Sequence, residues 1–428
     1  MARYPEAPPW PTLAYNIATM NKAKQIAIRP KSTTDPTCRR TQTLWYHRLT
    51  METLVTIERA IEIARQVATI QTTESVPLTE AHNRILSQDL TSKVDDPPFD
   101  NSAMDGWAVR SSDIERVEIG TTAAGSHPSK IGEGEAIRIM TGAPMPEGSD
   151  AIILIEDGLG GKAHTNFIRR QGENLSKGNV ALRTGQVMTP AAISLAATMG
   201  HATIPVRVKP RVAVISTGDE LVTPGEELVA GSIYESNSYG LCALLEKIGC
   251  KPLLQEIVID SLDTLRTTLD SLECDLILTS GGVSMGEFDY VRILMEQEGE
   301  IHFWKVAMRP GGPPLFGTWK GTPLFGLPGN PVSSHLVFTM IVAPWLSPET
   351  PLGNNVQVRL KDAVKGAPGK VCLRRIRISS EDNQLVATTH THQGSGNIHS
   401  MVAHNGVTLL PPDINANPGD IIDALWLL

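Results

Sequence analysis

Cysteine is scarce in this chain of 428 residues: five thiols, at positions 38, 242, 250, 274 and 372, widely spaced and with no Cys-x-x-Cys. An odd, dispersed set indicates neither a disulfide framework nor a zinc site, and it fits reduced thiols in a reducing compartment. Long apolar runs are lacking too, so no stretch has the length needed to span a bilayer. There is no basic excess: 38 Lys and Arg stand against 46 Asp and Glu, a formal net charge of -8, which argues against non-specific nucleic-acid binding. The histidines, His302, His335 and His392 among them, lack metal-ligand spacing and read as structural. What remains is expected to be a cytoplasmic globular protein, too long for one core and therefore built of several domains.

The first fifty residues differ from the rest. They carry eight Lys and Arg against Glu6 and Asp35, with no sustained period. Such a leader resembles an organelle transit peptide in composition. The plainer reading, an extension without a fold ahead of a second start at Met51, is preferred. From Thr56 a helix is expected, with Ile57, Ala60, Ile61, Ala64, Val67 and Ala68 at helical spacing. Residues 51–99 and 170–208 read as an extended stalk, with a helix opened by Pro190. Short alternating segments over 100–169, such as Ala136–Met140 and Ala151–Ile155, read as an inserted small β-domain. Strands alternate with helices over 209–346, which predicts a parallel sheet wrapped on both faces. Its strands include Val212–Ser216 and Leu253–Ile259, and an apolar helix runs to Ile341. Five further strands over 347–428, one of them Lys370–Ile378, predict a C-terminal β-domain.

The stretch Cys274-Asp-Leu-Ile-Leu-Thr-Ser-Gly-Gly-Val-Ser-Met-Gly-Glu-Phe-Asp289 organises the α/β region. A buried strand, a glycine turn at Ser280–Ser284 and a helix start make an anion trap, because glycines admit backbone N–H groups and the helix end adds its own donors. Pro328-Gly-Asn-Pro-Val-Ser333 repeats the device, with Pro331 where the first helical turn needs no N–H. Ligands of such sheets bind beyond the carboxyl ends of the strands. Asp219, Glu220, Asp260, Ser284 and Asp289 all fall there.

Five segments then resemble one family, the molybdopterin molybdenumtransferases (MoeA and the E domain of gephyrin). They are Pro98-Phe-Asp-Asn-Ser-Ala-Met-Asp-Gly-Trp-Ala-Val-Arg110, Ile139-Met-Thr-Gly-Ala-Pro144, Ser216-Thr-Gly-Asp-Glu-Leu221, Ser280-Gly-Gly-Val-Ser-Met-Gly-Glu-Phe-Asp-Tyr290 and Gly326-Leu-Pro-Gly-Asn-Pro-Val332. The resemblance covers about residues 52–428. It implies an α/β multidomain fold: a doubly wound molybdopterin-binding domain, an extended N-terminal segment, the inserted β-domain and a C-terminal β-barrel-like domain. It further implies an elongated homodimer whose cleft lies between the doubly wound domain and the partner's inserted domain. The implied reaction converts adenylylated molybdopterin and molybdate to molybdenum cofactor and AMP with Mg²⁺. Transient contact with a molybdopterin adenylyltransferase and with acceptor molybdoenzymes follows from it.

By matched position the resemblance implies polar cleft residues Asp105, Thr141, Glu220, Asp260, Asp289 and Lys305, with Asp289 and Glu220 for Mg²⁺ or the attacking water. For an isolated Asp in such turns, capping is the commoner role. Gly281, Gly282 and Ser284 match the phosphate-binding turn, and Pro328, Asn330 and Pro331 shape the second turn. Arg309, Arg375 and Ser395 match positions near the anion site. Three residues depart from the pattern: Asn174 replaces a carboxylate, Arg309 a Lys, and Gly312 the Lys of Pro-Gly-Lys-Pro. The alternatives are an inactive paralogue, an adenylyltransferase-like or cofactor-binding protein, and a scaffold.

Overall fold

The computed structural model describes residues 51–68, 72–284, 286, 289–389 and 392–427. The basic leader and Phe288 lie outside them. A mixed seven-stranded sheet dominates, in the order Glu52–Val55, Glu300–Val306, Leu315–Trp319, Thr322–Leu327, Leu276–Ser280, Arg211–Ser216 and Lys251–Leu254. All neighbouring pairs are parallel except those made by Leu315–Trp319, which is antiparallel to both its neighbours.

The period of two in the strands sets the layers. Val212, Val214, Leu276, Leu278, Phe325 and Leu327 point into one core, while Ile215, Ile277 and Leu324 point into another. The first core takes the helices Ile57–Val67, Asn237–Lys247 and Pro331–Val337; the second takes Leu262–Ser271 and Tyr290–Gln297. Fully buried Phe303, Phe316 and Phe325 stack at the centre of the first, with Phe316 and Phe325 centroids 4.4 Å apart.

Capping fixes where the helices begin. Thr56 Oγ1 accepts from Arg59 N at 3.2 Å, and Thr189 Oγ1, ahead of Pro190, accepts from Ala192 N at 3.3 Å. Thr73–Pro77 pairs antiparallel with Thr203–Arg207. The inserted region forms a four-stranded sheet ordered Val117–Thr122, Glu135–Ile139, Gly106–Val109 and Ala151–Leu154. Five strands close a barrel at the C-terminal end: Gly353–Leu360, Gln384–Thr389, Arg375–Glu381, Gly406–Thr408 and Ile421–Leu427.

Four local expectations differ from the structure. Glu52–Val55 is not part of a stalk but an edge strand of the large sheet, and Ile57, Ala60, Ile63 and Ala64 of the helix behind it pack into that sheet's core. The strand expected over Leu253–Ile259 is Lys251–Leu254; beyond it only Val258 makes a bridge, to Thr217. The apolar helix to Ile341 turns to π geometry over Phe338–Val342 because Pro344 has no N–H for the regular ladder. The single strand expected over Lys370–Ile378 is two: Val371–Cys372 pairs with Met308–Arg309, and Arg375–Glu381 enters the barrel.

Candidate functional site

Three carboxyl ends of the central strands converge. Ser216 ends one, Ser280 the next and Leu327 a third, and the loops that follow line a cavity of about 690 Å³. Glu220, Asp260, Asp289, Gly281, Gly282 and Ser284 line it together with Pro328, Asn330 and Pro331. The backbone needs glycine at the first turn: Gly281 has φ 102°, and a Cβ there would stand 2.9 Å from Thr217 O. Gly282 has φ 67°, and its Cβ would press on Val291 at 3.0 Å. These two turns touch, with Gly329 Cβ space ending 3.7 Å from Gly281 Cα.

The carboxylates differ in their surroundings. Asp289 sits at the N-cap of Tyr290–Gln297 yet makes no side-chain bond to that helix; its Oδ2 accepts from Gly286 N instead. Asp260 N donates to Asp219 Oδ1 at 2.9 Å. Burial first, then the charges of Asp219, Glu220 and Asp289, push the Asp260 carboxyl above its ordinary range. Glu220, Asp260 and Asp289 line one cavity, and carboxylates gathered there favour a cation. Among the described residues no three acidic, thiol or imidazole groups gather closely enough to cage a metal. Carboxylate oxygens are hard donors of the kind Mg²⁺ takes, one or two from a protein with water and substrate phosphate completing the shell.

A second cavity, of about 590 Å³, adjoins the first and shares Ser284 and Pro313 with it. Lys305, Arg309 and Ser395 line it, with Lys370 and the buried Ser333, and among the described residues no carboxylate does. Lys305 is held in the left-handed region, φ 69°, at a strand end, a strained geometry typical of functional positions. Its ammonium lies 4.0 Å from the Trp304 ring centroid, and Trp304 Nε1 donates to Val283 O at 3.0 Å. One indole therefore fixes both the first glycine turn and Lys305.

Other expected residues stand apart. Arg375 is fully buried behind the Ser395 loop, where Nε donates to Ser400 Oγ at 3.0 Å and Nη2 to Gly394 O at 2.9 Å. Its Nη1 has no acceptor among the described residues. Burial first, then the neighbouring Arg374, pull this guanidinium down to about 10. Asp105 and Thr141 line neither cavity; Thr141 N and Oγ1 donate to Asp105 Oδ1 at 2.7 and 2.9 Å. Asn174 lines neither as well, and its amide donates to Asp96 Oδ2 at 3.2 Å, a bond the carboxylate of the usual pattern could not make.

Residues not singled out from sequence complete the frame. Glu235, buried, accepts from Ser216 Oγ at 2.8 Å, from Ser238 N at 2.8 Å and from Ser238 Oγ at 2.5 Å. Asn237 Nδ2 donates to Ser280 Oγ and to Gly329 O. Lys370 and Ser333 were missed as well. No periodicity marks such residues; only Asn237, opening a helix just past a strand, carries a local signal.

Comparison with known proteins gives a consistent assignment. The chain matches models for the MoeA N-terminal region (domain I and II) over residues 55–200, a probable molybdopterin binding domain over 213–348 and the MoeA C-terminal region (domain IV) over 357–427. It is 40% identical to a molybdopterin molybdenumtransferase of Haemophilus influenzae over 293 residues, 64% of this chain and 72% of that protein. With molybdopterin molybdenumtransferase 2 of Mycobacterium tuberculosis it shares 34% identity over 380 residues, 79% of this chain and 91% of the relative. Its fold is similar to the crystal structure of the molybdopterin biosynthesis moeA protein from Pyrococcus horikoshii, with TM-score 0.73 and 29% identity over 87% of this chain and 100% of that one. The chain belongs to the molybdopterin molybdenumtransferase family.

Proposed function

We propose that this transferase of molybdenum cofactor biosynthesis passes molybdenum from molybdate to adenylylated molybdopterin, opening the phosphoanhydride and releasing AMP. One observation carries the reading: an acidic cavity walled by two glycine turns adjoins a cavity lined by Lys305, Arg309 and Lys370, and Ser284 belongs to both. The glycine turns at 281–282 and 328–331 offer backbone N–H groups to phosphate oxygens. Lys305 and Arg309 hold the oxyanion, and buried Arg375 braces the loop of Ser395. Asp260, its carboxyl raised, takes up the proton of the water that adds to phosphorus. Asp289 and Glu220 supply hard oxygens for Mg²⁺, which screens phosphate charge when bound. Asp105 and Thr141 reach the reacting groups in a homodimer, from the inserted sheet of the partner. Exposed apolar residues of that region, Ile114 at 92% and Val117 at 67%, suit such an assembly. The substrate would come from a molybdopterin adenylyltransferase and the product pass to molybdoenzymes.

The test is reconstitution of the chain from Met51 with adenylylated molybdopterin, Mg²⁺ and either molybdate, tungstate or sulfate. AMP release that requires molybdate or tungstate supports the reading. Tight binding of the adenylylate with no AMP release under any oxyanion would leave an inactive paralogue or a cofactor-binding protein.

A further inference from the structure

Gly312 leaves a space in the cationic cavity, and a side chain from a remote segment fills it. No positive φ constrains this glycine, and a Cβ built on it would meet only ordinary contacts: Met308 O at 3.5 Å, Lys370 Nζ at 3.7 Å and Val306 O at 3.9 Å. The position could therefore carry a long side chain. Its neighbour Gly311 could not, with φ 101° and a Cβ 2.9 Å from Val337 Cγ2. The ammonium of Lys370 stands where a residue at 312 would begin to reach into the cavity.

The backbone holds Lys370 there. Val371–Cys372 pairs in parallel with Met308–Arg309, Val371 N donates to Ala307 O at 2.9 Å, and Leu373 N donates to Arg309 O at 2.8 Å. The other limb of the loop is fixed by Val306 N, which donates to Gly312 O at 2.9 Å. Lys370 is half-buried, lines the cavity, and has no ion-pair partner among the described residues. With Lys305 and Arg309 it makes three positive charges around a space with no carboxylate in its wall among the described residues. A cleft lined by charges of one sign draws anions into it.

We infer that Lys370, reaching in from the C-terminal segment, is a direct oxyanion-binding residue that supplies the cation absent at Gly312. The cavity then takes a tetrahedral dianion such as molybdate, held by three cations and the hydroxyls of Ser284, Ser333 and Ser395. Its site is complete only while Val371–Cys372 remains paired with Met308–Arg309. The inference rests on the oxyanion reading of this cavity but not on AMP release.

Calorimetric titration of the full chain with molybdate tests it, alongside AMP release under the same conditions. Lys370→Ala and Lys370→Met should each weaken molybdate binding by about tenfold to a hundredfold, the range a charge-assisted hydrogen bond supplies. Gly312→Lys in the Lys370→Ala background should restore it, because position 312 has room for the side chain. Lys370→Met keeps the apolar stem, and matching melting curves guard against misfolding. Unchanged molybdate affinity in both single variants, or no recovery in the double variant, overturns the inference. Wild-type binding that depends on Lys370 without AMP release would sink the catalytic reading and leave Lys370 in its role. Absence of any molybdate binding by the wild type overturns both.

Discussion

Asn237 and Gly329 are joined by a 2.7 Å hydrogen bond from the side-chain amide to the carbonyl, and the same amide nitrogen lies 2.8 Å from Ser280 Oγ. A helix start thereby clamps the two glycine turns that wall the acidic cavity, while buried Glu235 holds that helix start to Ser216. The clamp sets the distance between the two sets of backbone donors. Asn237→Ala should cost about 1–2 kcal/mol of stability and lower kcat/KM on the order of a hundredfold through misplaced donors. Asn237→Asp should be no better, since a carboxylate cannot donate to Gly329 O. Steady-state AMP release and a urea melt check this; wild-type kinetics in Asn237→Ala would show that the turns hold their spacing unaided.

Trp304 acts on the other side of the same turn. Its indole bonds Val283 O and its face carries Lys305. Trp304→Phe keeps a ring for the cation but loses the hydrogen bond, so it should loosen the glycine turn by about 1 kcal/mol and raise KM for the adenylylate more than for molybdate. Trp304→Ala should raise both. Equal effects of the two variants on both substrates would contradict this division of labour.

Much of this is legible in the sequence. The strand Leu276–Ser280 and the glycine turn behind it stand where their residue types require, because glycine at positive φ and a short buried apolar run leave little choice. Long-range placement was not legible. Nothing in Glu52–Val55 says that it will pair with Phe303–Val306, since a short edge strand carries no partner-specific signal. Lys370–Ile378 reads as one strand because no glycine, proline or other turn residue interrupts it, yet two different neighbours divide it. The candidate site followed the same rule: Asp260 and Asp289 could be found at strand and turn ends, whereas Lys370 enters from a distant segment and only tertiary structure shows it.

Acid should act on stability in two windows. Burial holds His335 below its ordinary range, and it does the same for His302, opposed by Glu300. At pH 7.5 both states are neutral; below about 6.5 the unfolded imidazoles take up protons that the folded ones resist. Stability should therefore fall gently as pH drops from 7 towards 5, with a smaller slope in the His302→Gln, His335→Gln double variant. The second window belongs to carboxylates held low by donated backbone N–H groups: Asp95 by Lys177, Asp100 by Gln171 and Asp105 by Thr141. Their contribution is complete above an unfolded pKa of about 4 and is lost below it. Asp100→Asn should flatten part of that lower limb. Melting temperatures across pH 3–8 read both, and a slope above pH 5 unaltered by the histidine changes would contradict the first assignment.

The central claim is that an acidic phosphoanhydride site and a cationic oxyanion site act together. It is tested most directly by AMP release measured against molybdate concentration for the wild type, Asp289→Ala and Arg309→Ala. The account predicts a saturable molybdate dependence in the wild type. Asp289→Ala should lose turnover by about a thousandfold or more with molybdate binding intact, and Arg309→Ala should raise half-saturation about tenfold or more with much of kcat retained. AMP release that ignores molybdate, or both variants failing in the same parameter, would contradict it.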